Sequence, residues 1–111
     1  MTKSDLELFQ EQVARWSVEN FGHQPPYRAL MGIAEEIGEL MHCRLKFEQG
    51  IRQYSQTRFE VESADAIGDI IIYLADYCDR LGLSLEDCVR TTWARVRQRD
   101  WRKDREKGGE K

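Results

Sequence analysis

Two short segments of the chain carry acids at a spacing that invites chemistry. Ala34-Glu35-Glu36-Ile37-Gly38-Glu39-Leu40 is nearly repeated thirty positions on as Ala64-Asp65-Ala66-Ile67-Gly68-Asp69-Ile70. Both follow one pattern: Ala, acid, any residue, Ile, Gly, acid, aliphatic. Acids four apart share a helix face. Two such helices side by side would therefore gather at least four carboxylates in one groove. Like charges at that range repel and raise one another's pKa. A divalent cation removes the conflict, and hard cations such as Mg²⁺ take carboxylate oxygens as ligands. The expected chemistry is that of a carboxylate-built metal site between two helices.

A solvated acidic face is the competing reading, and for the first segment alone it fits equally well. Glu35, Glu36 and Glu39 cover an arc of about 100°, with Ile33, Ile37, Leu40 and Met41 roughly opposite. The second segment favours the metal. Glu62, Asp65, Asp69 and Asp76 share a stripe only about 60° wide, and no Lys or Arg falls between Glu60 and Asp79. Gly38 and Gly68 each precede an acid inside a helical pattern, where Gly costs about 1 kcal/mol relative to Ala. Close approach of the two helices is the expected reason.

The elements that must position these acids are all helical. Ser4 with Glu7 is a capping box that starts a first helix. Leu6, Phe9, Val13 and Trp16 form its expected buried stripe, and Gly22 ends it. Trp16 is core on this pattern, with base stacking as its alternative role. Gly22 to Pro26 is a break. A second helix is expected from Tyr27 to about Phe47. Within it, Glu39-Leu40-Met41-His42 matches the Glu-x-x-His spacing of di-iron bundles, but the second Glu-x-x-His those sites need is missing. Glu48 to Arg58 reads as a polar connector or a lid. A third helix is expected from about Phe59 to Leu81, ending at Gly82. Ser84 with Asp87 caps a fourth that reaches about Asp100. Its apolar stripe is Leu85, Val89, Trp93 and Val96, and Arg90, Arg95, Arg97 and Arg99 lie on its flanks. Trp101 is expected to pack back on the bundle. The fold class is all-α, a four-helix bundle over residues 1–101 followed by a charged, disordered tail, 102–111.

Composition narrows the class further. The 111 residues carry a net charge of −3. Arg90 to Lys111 holds nine basic and four acidic residues, a balance of +5 that leaves −8 for the rest. A basic segment facing an acidic body suits a metal and a polyphosphate, and argues against a stable nucleic-acid complex. Three cysteines without Cys-x-x-Cys spacing argue against a zinc site or disulfide framework and point to a reducing, cytoplasmic compartment. The longest apolar run, Ile70 to Ala75, is far too short to cross a bilayer, and the N-terminus has no signal-peptide pattern. A chain this short leaves apolar flanks that self-association would cover.

Glu35-Glu36-x-x-Glu39, the later Asp69-Ile70-Ile71-Ile72-Tyr73-Leu74 and the turn Asp79-Arg80-Leu81-Gly82-Leu83-Ser84 together resemble the MazG-like all-α nucleotide pyrophosphohydrolases. The likeness runs from about Leu30 to Trp101. It implies Mg²⁺-dependent hydrolysis of a nucleoside triphosphate to monophosphate and pyrophosphate, with Mn²⁺ able to substitute, in a homodimer or homotetramer. By position it implies Glu35, Glu36, Glu39 and Asp69 as metal-site acids, with Glu35 or Glu36 as the catalytic base. The family's second half reads Glu-x-x-Asp, and its Glu falls on Ala66. Asp65 is expected to substitute, with Glu62 in reserve. Arg95, Arg99, Lys46 and Arg52 are the expected phosphate-binding residues. The departure at Ala66 also keeps a second function open, a catalytically inactive module for oligomerisation or nucleotide sensing.

Overall fold

The computed structural model describes residues 2–104, which are helical with no strand among them. The helices are α1 (Asp5–Phe21), α2 (Tyr27–Gln49), α3 (Gln56–Leu81), α4 (Leu85–Val96) and α5 (Trp101–Asp104), with a 3₁₀ turn at Ile51–Gln53. The all-α expectation holds, and local chemistry explains the ends. The Glu7 amide donates to Ser4 Oγ at 3.2 Å and the Ser4 amide to Glu7 Oε1 at 3.1 Å, a closed capping box. Ser55 caps α3 by accepting from the Arg58 amide at 3.0 Å. That cap starts α3 three residues before Phe59, and α2 runs two past Phe47. The expected long connector shrinks to Gly50–Ser55.

Helix α4 stops short of the expected Asp100. Trp101 opens α5 and is 51% exposed, so it does not pack back on the body. Helix α5 also crosses the boundary expected at 101/102, and residues 105–111 of the expected tail lie outside the described residues.

Helices α2 and α3 form an antiparallel hairpin. At its closed end Phe47 stacks on Phe59 with centroids 4.9 Å apart, and the Arg44 guanidinium lies 5.6 Å from both rings. At its open end Gly32 meets Tyr73. A methyl group on Gly32 would sit 2.5 Å from Tyr73 Cε1 and Cζ, whereas one on Gly38 or Gly68 would meet nothing within 4 Å. The close approach expected at Gly38 and Gly68 is therefore at Gly32.

Helices α1 and α4 pack on α3 and on each other. Val13, Ala75, Cys78 and Leu85 are the buried centre of that junction, flanked by Leu6, Phe9, Ile72 and Leu74. Gln10 stitches it together, donating to the Leu83 carbonyl at 2.8 Å and accepting from the Leu85 amide at 2.7 Å.

Several expected core residues lie outside it. Trp16, Val89 and Trp93 are 51, 47 and 60% exposed, and on α2 Ile37 and Met41 are also exposed. Among the described residues no large side chain is fully buried. The radius of gyration, 17.7 Å, exceeds the about 13 Å of a compact domain of this length. A hairpin that packs extensively only on one side leaves these apolar residues in water.

Candidate functional site

The acids of α2 do converge. Glu35, Glu36 and Glu39 each offer a carboxylate oxygen, all within 4.8 Å of one another. Glu36 is half-buried, and its pKa is raised by burial first, then by repulsion from Glu39, Asp69 and Glu35. Asp69 thus acts on the cluster from α3. Tyr73, one turn further on, is also pushed up, chiefly by burial and then by Glu36, Glu35 and Asp69. Its phenol stays protonated, a donor beside a ring of acceptors.

The two ends of the acidic stripe are neutralised by neighbouring arginines. Arg58 Nε donates to Glu62 Oε1 at 3.0 Å, and Arg80 Nε to Asp76 Oδ1 at 3.0 Å. None of the ion pairs among the described residues involves Glu35, Glu36, Glu39, Asp65 or Asp69. Asp65 is not brought to the cluster. It is exposed and borders neither of the two cavities at the cluster, while Ala66 is buried. One residue along a helix is a turn of about 100°, which accounts for the difference.

Two open cavities meet at the cluster. The first, of about 630 Å³, is bordered by Glu35 and Glu39 and by the cations Lys46, Arg52 and Arg58, with His42 beside them. The second, of about 390 Å³, is bordered by Glu36 and Asp69 and by the rings of Trp16, Phe21 and Tyr73. Trp16 and Phe21 meet edge-on, with centroids 5.5 Å apart. Lys46 and Arg52 border the same cavity as Glu35 and Glu39. Arg95 and Arg99 border neither cavity in a single chain. Trp16, expected in the core, stands on the second cavity's wall. Phe21 and Tyr54 carried no signal in the sequence, because a lone aromatic near a helix end or in a turn reads as packing.

The wall of the first cavity is locked through Glu62. Tyr54 donates its hydroxyl to Glu62 Oε2, and Cys43 Sγ donates to the same oxygen at 3.1 Å. Tyr54, then Cys43 and Arg58 lower the Glu62 pKa to about 2. Glu62 is thereby committed to these donors instead of serving as a reserve ligand. Tyr54 pulls the Cys43 thiol's pKa down, but burial and the Glu62 carboxylate outweigh it and hold the thiol up. The lock ties down a turn in which Arg52 and Gln53 both adopt left-handed backbone, φ 55° and 54°, a conformation that disfavours any residue with a Cβ.

Because Glu62 titrates lower in the folded chain, its contribution to stability is complete above its ordinary value of 4.5 and is lost as pH falls towards 2. Glu62→Gln should therefore melt below wild type at pH 7, with the two melting temperatures converging near pH 2. A constant gap across an acid titration would show that Glu62 carries no such load.

Comparisons with protein-family models, curated proteins and solved structures return no significant match.

Proposed function

We propose that this protein is a Mg²⁺-dependent nucleoside triphosphate pyrophosphohydrolase of the MazG-like all-α kind. One observation carries the reading: three glutamates of α2 that make no ion pair among the described residues, with Asp69 opposite, sit at the seam between a cationic cavity and an aromatic one. The cations of the first suit a triphosphate chain and the rings of the second a nucleobase. Carboxylate oxygens grouped this closely suit a hard divalent cation. Glu35, Glu36, Glu39 and Asp69 would hold it. Once bound, it offsets charge on the phosphate oxygens and acidifies water.

The chain's own groups do the rest. Lys46 and Arg52 hold the β and γ phosphates, and Trp16 stacks on the base. Glu35 or Glu36 accepts a proton from the attacking water as its oxygen bonds to the α-phosphorus. The bond from the α-phosphorus to the bridging oxygen breaks, and pyrophosphate leaves with that oxygen. Such an enzyme would adjust cytoplasmic nucleotide pools or remove unwanted nucleotides.

The exposed apolar residues of α2, α3 and α4 support a homodimer or homotetramer. Arg95 and Arg99, which border neither cavity alone, would reach phosphate only across such an interface. Light scattering at micromolar concentration should give two or four times the 13.1 kDa of one chain. A stable monomer would refute this part.

A second reading, a nucleotide-sensing module without turnover, draws its support from the buried Ala66 and the displaced Asp65. A panel of ribo- and deoxyribonucleoside triphosphates with Mg²⁺ or Mn²⁺, scored for pyrophosphate release, separates the two. Turnover of at least one substrate is expected, and saturable binding without turnover would favour the sensor.

A further inference from the structure

Arg80 makes five hydrogen bonds, one for each N–H it can donate. Nε donates to Asp76 at 3.0 Å; Nη1 donates to the Gly22 and Gln24 carbonyls at 3.4 and 3.1 Å; Nη2 donates to Ser17 Oγ at 2.7 Å and to the Gly22 carbonyl at 3.3 Å. Its side chain is 8% exposed and that of Asp76 is 17% exposed. Ser17, at 2%, is the one buried polar residue among the described residues.

The acceptors define what is being held. Ser17 follows Trp16 and Gly22 follows Phe21, so the guanidinium grips the last turn of α1 and the first residues beyond it. That turn has no basic residue of its own, although a helix C-terminus favours a positive charge. Arg80 supplies the charge from α3. Trp16 and Phe21 themselves are more than half exposed, so packing on the body does not fix them. Ser17, Gln24 and Asp76 border the same aromatic cavity.

We propose that Arg80, anchored by Asp76, is a positioning residue that sets the nucleobase wall of this cavity and so governs recognition of the base, not of the phosphates. The inference rests on the nucleotide reading above. It assigns Asp76 to the wall and not to the metal. It also requires arginine itself, because lysine offers three donors on a flexible stem and cannot reproduce the fork.

The test compares a nucleoside 5′-(α,β-methylene)triphosphate, whose α–β bridge cannot be hydrolysed, with inorganic tripolyphosphate, which has the phosphate chain but neither sugar nor base. Binding of each with Mg²⁺ is measured by calorimetry for wild type, Arg80→Lys and the milder Asp76→Asn, with circular dichroism confirming helicity. The expected result is a loss of roughly tenfold or more for the nucleotide in whichever variant retains its fold, with tripolyphosphate affinity within about twofold of wild type. Equal losses for both ligands would overturn the inference while leaving the nucleotide reading intact, as would no loss for either. A wild-type protein that binds neither ligand would overturn the nucleotide reading and this inference with it.

Discussion

Asp69→Ala and Glu39→Ala will each lower Mg²⁺-dependent pyrophosphate release by on the order of a thousandfold, the scale at which a metal's charge stabilisation acts on a rate. Both residues act on Glu36, which already resists ionisation through burial and through repulsion from Glu39, Asp69 and Glu35. Removing either eases that repulsion, so the metal-free variants should melt no lower than wild type, and Glu39→Ala should melt higher. A side chain that only stabilised the hairpin would behave in the opposite way, losing helicity along with activity. Asp65→Asn is the internal control. Asp65 stands apart from the cluster and borders neither cavity, so it should retain turnover within about threefold across a Mg²⁺ titration, well inside the effect of a lost ligand. Full turnover in both Asp69→Ala and Glu39→Ala would remove the groove as the reacting centre.

The acids were legible in the sequence because helical spacing alone decides which of them share a face. Glu35, Glu36 and Glu39 needed nothing from the rest of the chain to converge. Their neighbours across the hairpin were harder to read. Whether position 65 or 66 turns toward α2 depends on how α3 is rotated, and one residue makes the difference between buried Ala66 and exposed Asp65. The apparent absence of cations along α3 was real in sequence and misleading in space, since Arg58 and Arg80 reach Glu62 and Asp76 from just outside the stripe. Trp16 followed an apolar period but is left half exposed among the described residues.

The glycines give the clearest case. Gly32→Ala should destabilise the protein by roughly 1–3 kcal/mol, the usual cost of overpacking. The added methyl would stand 2.5 Å from two Tyr73 ring atoms, in a seam where the half-buried ring cannot swing aside freely. Because Tyr73 borders the aromatic cavity, nucleotide binding should weaken in the same variant. Gly38→Ala and Gly68→Ala should instead be neutral or stabilising by up to about 1 kcal/mol through helix propensity, since a methyl at either meets nothing nearby. Chemical denaturation of the three variants checks the ordering. A Gly32→Ala protein as stable as wild type would mean that the two helices are not held at this separation. The repeated Ile-Gly-acid pattern pointed to the wrong pair of glycines because a close approach needs a large side chain opposite, and of these three glycines only Gly32 has one.

The position of bond cleavage tests the central claim most directly. Hydrolysis of a nucleoside triphosphate in ¹⁸O-labelled water with Mg²⁺, followed by mass analysis of both products, reports which phosphorus is attacked. Attack at the α-phosphorus predicts ¹⁸O in the nucleoside monophosphate and none in the pyrophosphate. Label in the pyrophosphate, or release of nucleoside diphosphate and orthophosphate, would contradict it.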